Sequence, residues 1–264
     1  PYLVQALMER PAVPDKNRLL LALRRYCGRV EPLYPDPGAL AFMLREHVSV
    51  YDGKPMPLQL IVAPAAQMPA KEQLEESLAQ TWEWEKAKET VARCRSALIL
   101  SDMMGSGLER DERMELFYGF VRAVLDEAPV LALHWLPSQR LVEPRTFLQA
   151  LHEERPLLAA TVNVRMFQPR GGGAEERVMD TMGLAAFGLP DLQCRFRDRD
   201  PGKVAALLYN IAHYVFENGD VLADGNTVPG TEPGEQWPCK RVAASSPPNR
   251  QVVEIVPAGK PLKN

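Results

Sequence analysis

The chain has 264 residues, 46% of them hydrophobic and 25% charged, with a formal net charge of −3. That length buries a substantial core as one large domain or two small ones, and the composition is that of an ordinary globular protein. The charge argues against a nucleic-acid partner, and no apolar run approaches the roughly 20 residues of a membrane helix.

The opening PYLVQALMER has neither the basic start nor the apolar core of a secretory signal. The cysteines, Cys27, Cys94, Cys194 and Cys239, are far apart and form no C-x-x-C pair. Neither a zinc site nor a disulfide framework is indicated. These features together point to a reducing cytoplasm.

In chain order, residues 2–9 read as a first strand. Pro14 and Asp15 open a helix with Leu19, Leu20, Leu23 and Tyr26 on one face, and Gly28 closes it. A Pro-rich connector at 32–37 leads to a strand at 39–46, a turn at Tyr51-Asp52-Gly53-Lys54 and a second strand at 58–63. Residues 70–94 are helical in period, with Leu74, Leu78 and Trp82 on one face but Trp84, Ala87, Val91 and Cys94 on another. The change of phase near Trp82 predicts a kink or two helices. SALILS, at 96–101, reads as a buried strand.

The first hundred residues thus spell β-α-β-β-α-β, the order of a ferredoxin-like unit. A helix at 109–126, a strand at 130–135, a short helix from Pro144 and a strand at 161–167 follow, with Gly171-Gly172-Gly173 as a tip between strands. The clearest signals lie in MDTMGLAAFGLPDLQCRFRDRDPGKVAALLYNIAHYVFENGD, at 179–220. Apolar runs at 184–187 and 192–196 flank a Gly-Leu-Pro-Asp turn and read as two strands. Asp200 caps a helix with Pro201 in its first turn, apolar residues follow at Val204, Leu207, Leu208, Ile211 and Val215, and Gly219 stops it. The expected fold is α+β, with mixed or antiparallel sheets, packed helices and two ferredoxin-like halves. The expected domains are 1–102, 103–222 and a Pro/Gly-rich extension at 223–264 that wraps the surface, with one late strand at 252–256.

Chemistry-bearing residues are few. Asp102, His134, Asp180 and Asp191 stand at the ends of apolar runs, where an enzyme of an uncommon hydrolase-like class would place its carboxylates and base. Each has a structural alternative, as a turn cap or a histidine bonded to backbone. His213 and Glu217 are one helical turn apart, but no third metal ligand accompanies them, and they read as a solvated pair. Met104-Gly105-Ser106-Gly107 lacks the rest of a phosphate-binding motif, and Glu109, Asp111 and Glu112 follow it. Ser138 has no G-x-S-x-G context. No cofactor and no metal are expected.

Acidity does stand out. Residues 70–115 hold eleven Asp/Glu against seven Lys/Arg, a balance of −4. As solvated helix faces this has no further meaning. As a functional surface it steers a basic partner, with Glu75, Glu76, Glu83 and Glu112 as the charges and Trp82 or Trp84 as an interface anchor.

The segments SDMMGSGLERDERMELF, HWLPSQRLVEP, NVRMFQ, MDTMGLAAFGLPDLQCRFRD, LLYNIAHYVFENGD and DGNTVPG resemble the bacterial family of domain of unknown function 4261, over about 92–230. The resemblance supplies no catalytic residue. It implies a cytoplasmic protein, and an immunity or accessory role beside secretion-system or toxin genes. The expectation is a non-catalytic protein that binds and neutralises a secreted toxin, a nuclease with a basic cleft being the natural target.

Overall fold

The computed structural model describes residues 2–33, 38–152, 158, 160–169, 173 and 175–258. The chain divides into two compact units, Pro1–Thr161 and Val162–Asn264. The fold is α+β, but its divisions differ from those expected. Residue 102 lies inside a strand, and the segment after 222 contributes three strands to the second unit.

The first unit runs β1 (Leu3–Met8), α1 (Lys16–Cys27), β2 (Glu31–Leu33), β3 (Leu40–Tyr51), β4 (Lys54–Pro64), α2 (Lys71–Ala79), α3 (Ala87–Arg93) and β5 (Ser96–Met103). It continues with α4 (Arg110–Glu127), β6 (Val130–Trp135), β7 (Arg140–Val142) and α5 (Pro144–Ala150). Local signals placed these elements well. The Asp15 carboxylate accepts from the amides of Asn17 and Arg18 at the start of α1, and the phase change near Trp82 falls between two helices. The connector at 32–37 lies partly outside the described residues.

All seven strands pair antiparallel, in the order β2-β3-β4-β5-β1-β6-β7. This corrects the ferredoxin-like expectation. A ferredoxin-like unit sets its first strand beside the second strand of the hairpin, antiparallel to it; here β5 takes that place, between β4 and β1. Alternation assigns side chains to faces but does not choose neighbours, and both β1 and β5 carry buried residues on their two faces.

Helices cover both faces. On one, Tyr2 and Trp135 stack with Phe117 and Tyr118 of α4 and Phe147 of α5. There α1 crosses α4 closely at Gly119, where an added Cβ would lie 3.0 Å from Tyr26 O and Cys27 Sγ. On the other face, Leu7, Ala97 and Ala132 form a core with Val91 and Cys94, against which Leu74, Leu78 and Trp84 pack.

The second unit contains β8 (Asn163–Phe167), β9 (Arg177–Met182), a 3-10 turn (Leu184–Phe187), β10 (Asp191–Phe196), α6 (Pro201–Asn218), β11 (Thr227–Pro229), β12 (Gln236–Ala243) and β13 (Gln251–Ile255). Its sheet order is β11-β12-β13-β10-β9-β8, with β10 and β13 parallel and the other pairs antiparallel. Helix α6 forms as its signals predict, with Asp200 accepting from Lys203 N and Val204, Leu208 and Val215 fully buried.

Two expectations fail here. Residues 184–187 form the 3-10 turn, not a strand, because Gly183 (φ 127°) and Gly188 (φ 73°) bend the chain on either side. The C-terminal segment is no surface wrap: β12 buries Trp237 and Cys239 while their neighbours face out. Its prolines and glycines mark turns and edges between strands, and they concealed this alternation. Gly171 and Gly172, of the expected tip, lie outside the described residues.

Candidate functional site

The acidic stretch splits between the faces of the first sheet. Glu75 and Glu76 lie exposed on α2, with Lys71 3.6 Å from Glu75. Trp82 follows in the α2–α3 connection, 49% exposed, its indole Nε1 donating to Ala79 O. Glu83 beside it is exposed and accepts from Arg140 at 3.0 Å. Trp84 is instead half-buried against the Leu7 core. Glu112 sits on α4, across the sheet, bonded to His47 Nδ1 at 2.6 Å. The surface that remains is therefore α2 and the Trp82 turn.

His134 lies beneath that surface, fully buried, and its partners are side chains rather than backbone. Its Nδ1 faces Gln5 Oε1 at 2.9 Å, and its Nε2 faces Ser77 Oγ of α2 at 3.0 Å. Burial lowers its pKa to about 4, so the ring is neutral. With Nδ1–H donated to Gln5, Nε2 accepts from the Ser77 hydroxyl. Gln5 and Ser77 escaped the sequence reading, although a polar residue inside the apolar VQALM was a visible signal.

Asp102 is buried and doubly bonded to Arg113, Nε to Oδ2 at 2.6 Å and Nη2 to Oδ1 at 3.0 Å. It also accepts from Tyr2 N, and Arg113 stacks 4.1 Å from the centre of the Tyr2 ring. This carboxylate ties β5 to α4 and to the start of the chain. Ser138 is buried, its hydroxyl on Trp135 O. His213 is buried against Tyr209 while Glu217 is exposed, so the expected solvated pair does not form.

In the second unit Asp180 and Asp191 do meet. Arg165 of β8 clasps Asp180 with Nε at 2.9 Å and Nη2 at 2.7 Å. Arg250 bridges the two carboxylates, Nη2 to Asp180 Oδ2 at 2.9 Å and Nε to Asp191 Oδ2 at 3.0 Å. Ser246 Oγ donates to Asp180 at 2.6 Å, and Asp191 Oδ1 accepts from Leu184 N at 3.1 Å. Burial raises the Asp191 pKa to about 6, against the opposing pull of Arg250. The β12–β13 loop that supplies Ser246 and Arg250 is held down further where Ser245 N donates to Gln193 Oε1 at 2.7 Å. An arginine inside NVRMF was the visible hint of this network; Arg250, in a loop, gave none.

Two clefts of about 450 and 230 Å³ open in the first unit, one lined by Arg18, Leu21, Arg25, Tyr26 and Asp126, the other by Met8, Val13, Met68 and Arg95 among others. Neither is lined by any of the residues proposed for chemistry. Among the described residues, no group of three His, Cys, Asp or Glu side chains could hold a metal ion. No described helix is long and apolar enough to cross a membrane.

The model of a family described as a domain of unknown function (DUF4261) matches residues 180–256. These residues belong to the DUF4261 family. The matched stretch starts at Asp180 in β9 and runs through the 3-10 turn, β10, α6 and β11 to the end of β13. It thus contains Asp180, Asp191, Ser246 and Arg250, while Arg165 lies outside it. The upstream segments that resemble the family, from SDMMG to NVRMFQ, precede the DUF4261 match, whereas the β12–β13 hairpin falls within it. No curated protein matches the chain, and no solved structure does.

Proposed function

We propose that this chain is a non-catalytic cytoplasmic binding protein that occludes a cognate protein toxin, an immunity protein whose target presents a basic surface such as a nuclease cleft. The observation that carries the reading is Trp82, 49% exposed beside the acidic face of α2. A half-exposed indole is a strong interface anchor, and Glu75 and Glu76 on α2, with Glu83 next to Trp82, supply the field that steers a basic partner. The polar groups offered for catalysis are bonded within the fold: Asp102 to Arg113, Asp180 to Arg165 and Arg250, Asp191 to Arg250, and His134 between Gln5 and Ser77.

The test is binding to the product of the gene adjacent to this one, and survival of cells expressing that product with and without this chain. Reversing Glu75, Glu76 and Glu83 to Lys should slow association about tenfold at low salt, and Trp82→Ala should raise the dissociation rate about tenfold or more. Absence of both binding and protection overturns the immunity reading. Unaltered binding by both variants overturns only the placement of its surface.

One observation favours an alternative, an enzyme of hydrolase-like class. Asp180 and Asp191 share Arg250, and Asp191 has a raised pKa. Under that reading Asp191→Asn abolishes a turnover; under the binding reading it leaves protection intact.

A further inference from the structure

Helix α2 has few means of holding its place. It spans nine residues, has no side-chain N-cap, and packs through Leu74 and Leu78, both only half-buried. A helix this short is marginal without tertiary support. Apolar contacts alone do not fix its rotation, because the hydrophobic effect is non-directional.

The directional contact is Ser77. Its hydroxyl meets His134 Nε2 at 3.0 Å, and His134 Nδ1 meets Gln5 Oε1 at 2.9 Å. Gln5 of β1 and His134 of β6 are paired across the sheet, so the chain of bonds is rooted in two adjacent central strands. The backbone carbonyl of the same Ser77 accepts from Thr81 Oγ1 at 2.7 Å and from Gln80 N at 3.2 Å. Trp82 follows Thr81 directly, and its indole bonds to Ala79 O. One residue therefore joins the buried histidine on its inner side to the tryptophan turn at its C-terminal end.

We propose that Gln5, His134 and Ser77 form a positioning relay that fixes the rotation of α2, and with it the acidic face and the Trp82 turn offered to a basic protein partner. The purpose given to the relay rests on the binding surface proposed above; its mechanics do not. A helix that slid or rotated in place would strand the buried, neutral His134 without its donor, a penalty that apolar packing would not impose. Leu, Ala or Val in these three places would fill the layer without specifying the face turned outward. Ser77, His134 and Gln5 are thus positioning residues, acting through the residues they orient.

Ser77→Ala tests this. Hydrogen exchange at residues 73–82 should speed up about tenfold or more, with the rise concentrated in that segment, while the denaturant midpoint of the first unit falls only by what the loss of that one bond accounts for. Ser77→Thr, which keeps the hydroxyl, should restore much of the protection. Gln5→Met, at a half-buried position, repeats the test from the far end should Ser77→Ala fail to fold. Binding of poly-L-lysine, the probe for the acidic face, should weaken in Ser77→Ala as it does when Glu75 and Glu76 are reversed to Lys. Unchanged exchange, or an increase spread evenly over the unit with a falling midpoint, overturns the relay. Wild-type protein that does not bind poly-L-lysine speaks against the proposed surface, and the exchange data then judge the relay alone.

Discussion

Arg250 Nε donates to Asp191 Oδ2 at 3.0 Å, joining two residues 59 positions apart. The carboxylate is 2% exposed and the guanidinium side chain 14%, so each would otherwise be a charge out of water. The same guanidinium reaches Asp180 and the Thr181 carbonyl. The β12–β13 loop is thereby locked over β9 and β10. Removing one partner of a buried pair leaves the other uncompensated, typically costing about 3–5 kcal/mol. Arg250→Met should lower the stability of the second unit by that order, measured by denaturant unfolding; a change within error would show the network to be dispensable.

Asp191 also makes stability depend on pH. Burial lifts its pKa from 3.8 to about 6, more than Arg250 and the Leu184 amide pull it down. The folded state therefore holds the proton more tightly than the unfolded state. The stabilising contribution is full below pH 3.8 and is lost as pH rises through about 6. The difference corresponds to about 3 kcal/mol at most. Asp191→Asn should flatten the slope of unfolding free energy between those two pH values, and an identical slope in variant and parent would exclude Asp191 as its source.

The loop after β5 owes its glycine to the Asp102–Arg113 pair. A Cβ on Gly105 would lie 2.7 Å from Asp102 Oδ2, 2.9 Å from Leu58 Cδ1 and 3.0 Å from Arg113 Nε. All three neighbours are buried or bonded, so none moves aside cheaply. Gly105→Ala should destabilise the first unit by about 1–3 kcal/mol. Thermal melts of this variant beside Gly107→Ala, where Ser49 stands 3.0 Å away, would show whether the effect is specific to the ion pair.

All four cysteines are free and buried. Burial pushes Cys27 and Cys194 up to about 12 and Cys94 up to about 11, so at neutral pH the thiolate is scarce. Native protein should react with a thiol reagent far more slowly than unfolded protein, and intact-mass measurement should find no disulfide. Rapid titration of any one thiol in the native state would contradict its placement.

Some features were legible from the residues alone because their causes act within a few positions. Asp200, Pro201 and the spacing from Val204 to Val215 fix α6 locally, as Asp15 and Gly28 do for α1. The break between α2 and α3 followed from a phase change of apolar residues on either side of Trp82. The α+β class followed from the mixture of periods.

Sheet neighbours and ion pairs were not legible, because they depend on residues brought together from distant parts of the chain. Local pattern could not show that β5 lies between β4 and β1, nor that β13 completes the second sheet beside β10. It offered Asp102, His134, Asp180 and Asp191 as equivalents. Tertiary structure separated them, since only packing brings Arg113, Ser77, Arg165 and Arg250 to those side chains, and a buried charge or ring takes its chemistry from whichever partner packing supplies. The sequence by itself determined the helices and which residues carry charge. The fold decided which charges face solvent, because burial is settled by contacts that no local window contains.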